Sequence, residues 1–178
     1  LASMVHYLST GNNLYDACKK AVKLASISVT KFGTYVLTKE DIAKTKVIFT
    51  NGCFDIIHFG HIHLLKSAKA LGKKLIVGVN SDDSVKRLKG PERPINNTES
   101  RAIILSNLIM VDMVVVFEQD TPLELIKALQ PDVLVKGGDY TIEQIVGAKE
   151  VIALGGKVII NPIIEGHSTT SIIEKIKN

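Results

Sequence analysis

Tryptophan is absent and only 5% of the 178 residues are aromatic. That scarcity argues against the basic, aromatic-studded stripe of a nucleic-acid binder. The net charge of +4 is modest and the lysines are scattered, so most read as solvated faces, with some available to small anions. Cysteine is nearly missing: Cys18 and Cys53 form neither a disulfide framework nor a metal-ligand spacing. Cys53 reads as a small buried thiol. No apolar run approaches the ~20 residues of a membrane span, and the first residues lack the basic-then-apolar order of a signal peptide. A reducing, cytoplasmic setting with neither nucleic acid nor membrane as partner is the expectation that follows. The Walker lysine loop, the dinucleotide Gly-x-Gly-x-x-Gly and the Gly-x-Ser-x-Gly elbow are all missing. P-loop ATPase, dehydrogenase and serine hydrolase readings therefore drop.

What is present is a chain of ordinary globular composition, 46% apolar and 22% charged, long enough for one substantial core and an appended element. It opens on Leu1, which suggests a fragment. A division is expected near Lys39–Lys46. Before it, Leu1–Leu8 looks like the tail of a helix. Residues 12–32 repeat apolar positions at helical spacing, with Asn12 or Asn13 as N-cap and Gly33 as stop. Two helices without a strand must pack on something else. After it, β-branched runs at Val47–Phe49, Lys74–Val79, Met113–Phe117, Val133–Val135 and Lys157–Ile160 alternate with helical patterns over about 60–71, 98–109, 121–129, 141–154 and 169–177. Thr98, Thr121-Pro122 and Ser168 supply helix starts. The expected fold class is α/β: a Rossmann-like, doubly wound parallel sheet covered on both faces and preceded by a short helical segment. In such a sheet a ligand sits beyond the carboxyl ends of the strands, where the strand order switches.

The turn after the first strand falls there. It reads Thr50-Asn51-Gly52-Cys53-Phe54-Asp55-Ile56-Ile57-His58-Phe59-Gly60-His61. His58 and His61 flank a helix start, whose unpaired N–H groups and positive dipole suit a phosphate. Gly60 lets the backbone approach a ligand closely. Two other readings compete. A metal site of His58, His61 and His63 lacks cysteine partners and the glutamate of His-Glu-x-x-His. The alternative is a pair of histidines that merely cap a helix. The phosphate reading is preferred because other segments supply what it needs. Lys136-Gly137-Gly138 at the end of the fourth strand places an ammonium beside exposed backbone, fit for a phosphate and a base edge. Ser168-Thr169-Thr170 opens the last helix with three hydroxyls. A loop over Ser84–Arg101, with Lys86, Arg87, Lys89, Arg93 and Arg101, reads as a mobile cationic flap over phosphates. Asp55 either caps the turn or sits beside a cation.

At these residues a resemblance becomes specific. Gly52-x-Phe54-Asp55-x-x-His58-x-Gly60-His61 resembles the HxGH signature of the cytidylyltransferase-like nucleotidyltransferases, and Ser168-Thr169-Thr170 their ISTT signature. Asn80–Gly90, Arg93-Pro94 and Leu134–Tyr140 are similar, more narrowly, to the adenylyltransferase domains of bifunctional heptose 7-phosphate kinase / heptose 1-phosphate adenylyltransferases, over about residues 44–178. Residues 1–43 then resemble the closing helices of a ribokinase-like sugar kinase, and no kinase activity is expected of them.

The resemblance implies AMP transfer from ATP to D-glycero-β-D-manno-heptose 1-phosphate, with release of pyrophosphate and formation of ADP-heptose for lipopolysaccharide core synthesis. Within the same fold the other enzyme reading is a cytidylyltransferase acting on a polyol phosphate such as glycerol 3-phosphate. A non-catalytic nucleotide-binding module is the third reading. The implied catalytic residues are His58, His61 and Lys136. Thr50, Asn51, Gly52, Phe54, Gly60, Gly137, Asp139, Ser168, Thr169 and Thr170 would bind nucleotide. Lys89 and Arg93 are phosphate candidates, and Mg²⁺ would come with ATP, bridging triphosphate oxygens with few protein ligands. Apolar faces on the N-terminal helices favour a homo-oligomer. Two positions depart from the pattern: Ile173 stands where some relatives carry arginine, and His167 where ISTT has isoleucine.

Overall fold

The computed structural model describes residues 46–138, 140–162, 164 and 168–177, without the side chains of Ser171, Glu174 and Lys177. The expected helices before Lys46, together with Asp139 and His167, lie outside these residues. The chain divides into two compact units, Leu1–Lys46 and Val47–Asn178, and every element named below belongs to the second.

Five parallel strands, β1 (Val47–Gly52), β2 (Lys74–Asn80), β3 (Met113–Phe117), β4 (Val133–Gly137) and β5 (Lys157–Asn161), form one sheet in the order β3-β2-β1-β4-β5. Between and after them run α1 (Phe59–Lys69), α2 (Asp82–Lys89), α3 (Thr98–Ser106), α4 (Leu123–Leu129), a 3₁₀ turn (Ile142–Gln144), α5 (Ala148–Ala153) and α6 (Thr169–Lys177). Period-two alternation divides the strand side chains between two layers. Ile48, Val77, Val79 and Val135 pack with Leu65 and Ala68 of α1 and Leu105 of α3. On the other face Phe49, Ile76 and Leu134 pack with Ile126 of α4 and with Ala148 and Val151 of α5. Both layers are apolar, which explains why the strands read as continuous hydrophobic runs rather than alternating ones. Burial of each Val, Leu, Ile or Phe side chain among them contributes roughly 1.5–3 kcal/mol.

The two ends of the sheet are built differently. At the amino ends, the Asp132 carboxylate accepts from the Val47 amide at 2.8 Å, while its carbonyl accepts from the Lys157 amide at 2.9 Å. Asp112 accepts from the Leu75 amide at 2.7 Å and from the Lys69 ammonium. These carboxylates tie neighbouring strands together. At the carboxyl ends the central pair separates. β1 matches β2 from Val47↔Lys74 to Gly52↔Val79, whereas the β1–β4 ladder consists of Ile48↔Val133 and Phe49↔Leu134. The winding direction reverses between β1 and β4, so the opening lies at the switch point.

Two elements differ from the sequence reading. The first half of the expected cationic flap is α2, capped by Ser81, whose hydroxyl accepts from the Ser84 amide at 3.3 Å. The expected helix over 141–154 is two pieces, because Gly147 adopts φ +85° and breaks it before Ala148. At α3 the cap is Asn97, which accepts from the Ser100 amide at 2.9 Å. The Thr98 hydroxyl instead accepts from Arg101 at 3.0 Å.

Candidate active site

A cavity of about 730 Å³ lies across the carboxyl ends of the strands. The turn from Cys53 to His58 forms its floor. Phe54 there has φ +48°, a region that costs a residue with a side chain on the order of 1–2 kcal/mol. Its surroundings hold it in place. The ring is 3% exposed and packs on the His61 ring with centroids 5.2 Å apart. A Cβ at Gly52 would lie 3.2 Å from the same ring, so glycine makes room for Phe54. The carbonyls on both sides are strapped down: Arg101 donates to the Cys53 oxygen at 2.7 Å, and the Asn96 side chain donates to the Asp55 oxygen at 2.6 Å.

Asp55 resolves toward a structural part. Its carboxylate accepts from Arg93 Nε at 2.7 Å and from the amides of Ile95 and Asn96 at 2.9 and 2.8 Å. Burial alone would raise its pKa, but these bonds and the Arg93 charge hold it below the usual carboxylate value. Arg101 is 1% exposed and also donates to the Asn96 carbonyl and to Asp82. Arg87 pairs with Asp120, and Lys86 with Asp83. The cationic flap is therefore corrected to a braced structure. Of its five cations, Lys89 and Arg93 line the cavity, while Arg101, Arg87 and Lys86 have the structural partners just described.

His58 is the N-cap of α1, and its carbonyl accepts the His61 amide at 3.0 Å. That turn stacks the two imidazoles, with centroids 3.8 Å apart and planes at 29°. Burial, reinforced by the neighbouring His58, lowers the His61 pKa to about 4. The Ile56 carbonyl pulls weakly the other way, and no hydrogen bond of normal geometry reaches the buried Nδ1 of His61. His61 is thus neutral at pH 7 in the free chain, and an arriving anion favours its protonation. His63 meets Asn161 at 3.3 Å on the exposed side, apart from the stacked pair.

Lys136, on β4, reaches across the open switch point. Its ammonium donates to the backbone and side-chain oxygens of Asn51, both at 3.3 Å. Burial holds it below the usual lysine value, with Cys53 opposing and Lys89 adding to the shift. It is a partly desolvated cation without a carboxylate among its described partners, a form that gains most from an incoming phosphate. Gly137 next to it leaves room for Leu64 of α1, which a Cβ would approach to 3.3 Å.

Asn51, Gly52, Phe54, Gly60, Gly137, Ser168, Thr169 and Thr170 all line the cavity with the histidines and Lys136. Thr169 also donates to the Ile56 carbonyl at 3.4 Å, tying the start of α6 to the turn. Two helix N-termini, α1 and α6, thereby face one space. Asp139 lies outside the described residues. Thr50 does not line the cavity: it is 0% exposed and shares the parity of Ile48, so its side chain enters the layer beneath α1. Asn80, Asp120, Thr121 and Tyr140 line the cavity without having been singled out as site residues. Their position just beyond strand ends was the available signal. Among the described residues, no group of three or more His, Cys, Asp or Glu side chains could hold a metal ion, and no helix is long and apolar enough to cross a membrane.

Comparison with known proteins addresses family and fold. The Bifunctional protein HldE of Hyphomonas neptunium is 46% identical over 205 residues, which take in 98% of this chain and 42% of that protein. HldE of Marinomonas sp. is 61% identical over 130 residues, or 73% of this chain and 27% of that protein. The chain thus spans less than half the length of these relatives. The crystal structure of the lipopolysaccharide core biosynthesis protein from Thermoplasma volcanium superposes with a TM-score of 0.55 at 31% identity, covering 68% of this chain and 98% of that one. Pantothenate synthetase from Thermus thermophilus, at 15% identity and a TM-score of 0.50, shares the fold, covering 68% of this chain and 57% of its own. The cytidylyltransferase-like family model matches residues 49–175, from within β1 into α6, and the chain belongs to that family.

Proposed function

We propose that the chain transfers AMP from ATP to D-glycero-β-D-manno-heptose 1-phosphate, forming ADP-heptose and pyrophosphate. One observation carries the nucleotidyl-transfer reading: the stacked His58–His61 pair, Lys136 and the Ser168–Thr170 helix start line a single cavity at the β1/β4 switch. Choice of the adenylyl donor and the heptose acceptor is supported by the motifs at Asn80–Gly90 and Leu134–Tyr140. It is supported too by similarity to a bifunctional protein and to a lipopolysaccharide core biosynthesis protein.

A phosphate oxygen of the sugar attacks the α-phosphorus of ATP, the bond from that phosphorus to the bridging oxygen breaks, and pyrophosphate leaves with the electron pair. Little covalent work falls to the protein, so alignment and charge stabilisation supply the acceleration. His58 and His61 donate to the α-phosphate oxygens, gaining proton affinity as charge builds there. Lys136 sits beside the phosphates, and Ser168, Thr169 and Thr170 hold the β- and γ-phosphates at the start of α6. Asn51, Gly52 and Phe54 shape the floor beneath the nucleotide. Mg²⁺ enters with ATP. Both oxygens of Asp55 are engaged, so the ion would be held mainly by triphosphate oxygens and water, and it would offset charge on the leaving pyrophosphate.

Residues 1–43 are read as the closing part of a sugar kinase, without kinase activity. Self-association is expected through that segment, measurable by sedimentation. The reaction is tested by offering ATP or CTP with heptose 1-phosphate and with glycerol 3-phosphate. Pyrophosphate release is expected with ATP and the heptose. Preferred turnover of CTP with glycerol 3-phosphate would overturn the assignment.

A further inference from the structure

The cavity has two chemically different walls. Beyond β4 and β5 it is lined mainly by Tyr140, Ile145, Val146, Pro162 and Ile164, with Gln144 and Asn161 as its polar members. Gly138, at φ +139°, lets the Tyr140 ring lie against the loop, where a Cβ would come within 2.5 Å of it. Ring and aliphatic faces of this kind suit a flat base. Beyond β2 and β3 the wall is polar: Asn80, Lys89, Asp120 and Thr121, with Leu88 and Pro122 between them.

The polar wall is braced from α2. Ser84 Oγ donates to the Gln119 carbonyl at 3.0 Å and accepts from the Asn80 side chain at 3.0 Å. Arg87 donates through Nη2 to the Glu118 carbonyl at 2.7 Å and through Nε to Asp120 Oδ1 at 2.6 Å. Three successive residues, 118–120, are thus held by two side chains of one helix. Such bracing gives a subsite its selectivity, because the polar groups do not have to be ordered by the ligand.

We infer that this α2/post-β3 wall is the subsite for the polyhydroxyl body of the acceptor, with Asp120 and Thr121 reading sugar hydroxyls. The inference rests on the sugar-phosphate reading above and deepens it. Hydroxyls donate to the carboxylate and both donate to and accept from the threonine, whereas an ionised phosphate has no donor to offer Asp120. The carboxylate also orients the acceptor. Asp120, paired with Arg87, offers a phosphate no donor, whereas Lys89, Lys136 and the two helix starts attract it. The sugar phosphate therefore lies with its phosphate toward the histidines and its hydroxyls toward Asp120.

Steady-state kinetics of Asp120→Ala and Thr121→Val test this. Thr121→Val preserves side-chain shape and leaves the Arg87–Asp120 pair in place, so it stands if Asp120→Ala disturbs the loop. The expected result is an acceptor KM raised about tenfold or more in Asp120→Ala and several-fold in Thr121→Val. The KM for ATP should stay within about twofold of its starting value in both. A rise confined to ATP, or no change in either KM, overturns the inference. Failure of the parent reading shows separately, as no pyrophosphate release by the unsubstituted chain. In that event heptose 1-phosphate is titrated calorimetrically into the unsubstituted and substituted chains. Binding weakened by both substitutions supports the subsite. Binding that is absent, or unchanged by them, overturns it.

Discussion

At the scale of single residues, the site centres on a pair of stacked rings whose charge state depends on what lies against them. His61→Ala and His58→Ala should each lower kcat by about 10²–10³, the usual loss for one preorganised donor, while the melting transition shifts little. Far-ultraviolet circular dichroism and single-turnover rates check both parts. The His61 pKa of about 4 in the free chain makes a second prediction. A bound triphosphate stabilises imidazolium, so nucleotide binding takes up a proton in the window above about 4. ATP affinity, corrected for the titration of ATP itself, should then rise as pH falls from about 7 toward 5. Imidazole chemical shifts, with and without nucleotide, report the two pKa values directly. That His58, His61 and Lys136 line one cavity was legible from their places just after β1 and at the end of β4. Thr50 was misplaced for a simple reason: the residues that follow it line the cavity, and alternation turns its own side chain inward. Arg101 looked like a free cation. Burial of its guanidinium depends on carbonyls at Cys53 and Asn96, and no spacing rule discloses those.

At the scale of elements, the turn Cys53–His58 keeps its shape because the segment Arg93–Arg101 is bonded to it. Asp55→Asn should cost about 3 kcal/mol, since it leaves Arg93 and two amides without their anion in a buried setting. The sign with pH follows from the lowered carboxyl pKa. Stabilisation is complete above the ordinary carboxylate value and is lost as pH falls through the lower native one. Denaturant midpoints below about pH 4 should accordingly fall for the parent chain and lack this component in the Asn variant. Gly147→Ala should destabilise by roughly 1–3 kcal/mol, because φ is +85° and the added Cβ would meet Ile126 Cδ1 at 2.5 Å; thermal unfolding measures it. That glycine was the clue to the break between the 3₁₀ turn and α5. α2 was missed for a different reason. Its sequence DDSVKRLK is too polar for an apolar stripe. The signal lay at its ends: Ser81 as cap, two aspartates in the first turn, basic residues in the last and Gly90 after it.

At the scale of the whole unit, the parallel sheet and the position of the site beyond its carboxyl ends followed from alternation of strand and helix. The strand order did not, because sequence specifies neighbours along the chain and not across the sheet. Nor did the early end of the β1–β4 ladder at Phe49↔Leu134, which opens the crevice that Lys136 bridges. Charge is arranged on the same scale. Carboxylates tie the strands at their amino ends, whereas the cavity lies between two helix N-termini with Lys89, Lys136 and Arg93 on its lining, and its aspartates Asp55 and Asp120 are each paired with an arginine. The most direct test of nucleotidyl transfer is a continuous assay of pyrophosphate release from ATP and heptose 1-phosphate, run on the chain and on His58→Ala/His61→Ala. Turnover is expected to require both substrates and to be all but abolished in the double variant. Near-normal release by that variant, or none by the parent chain, would contradict it.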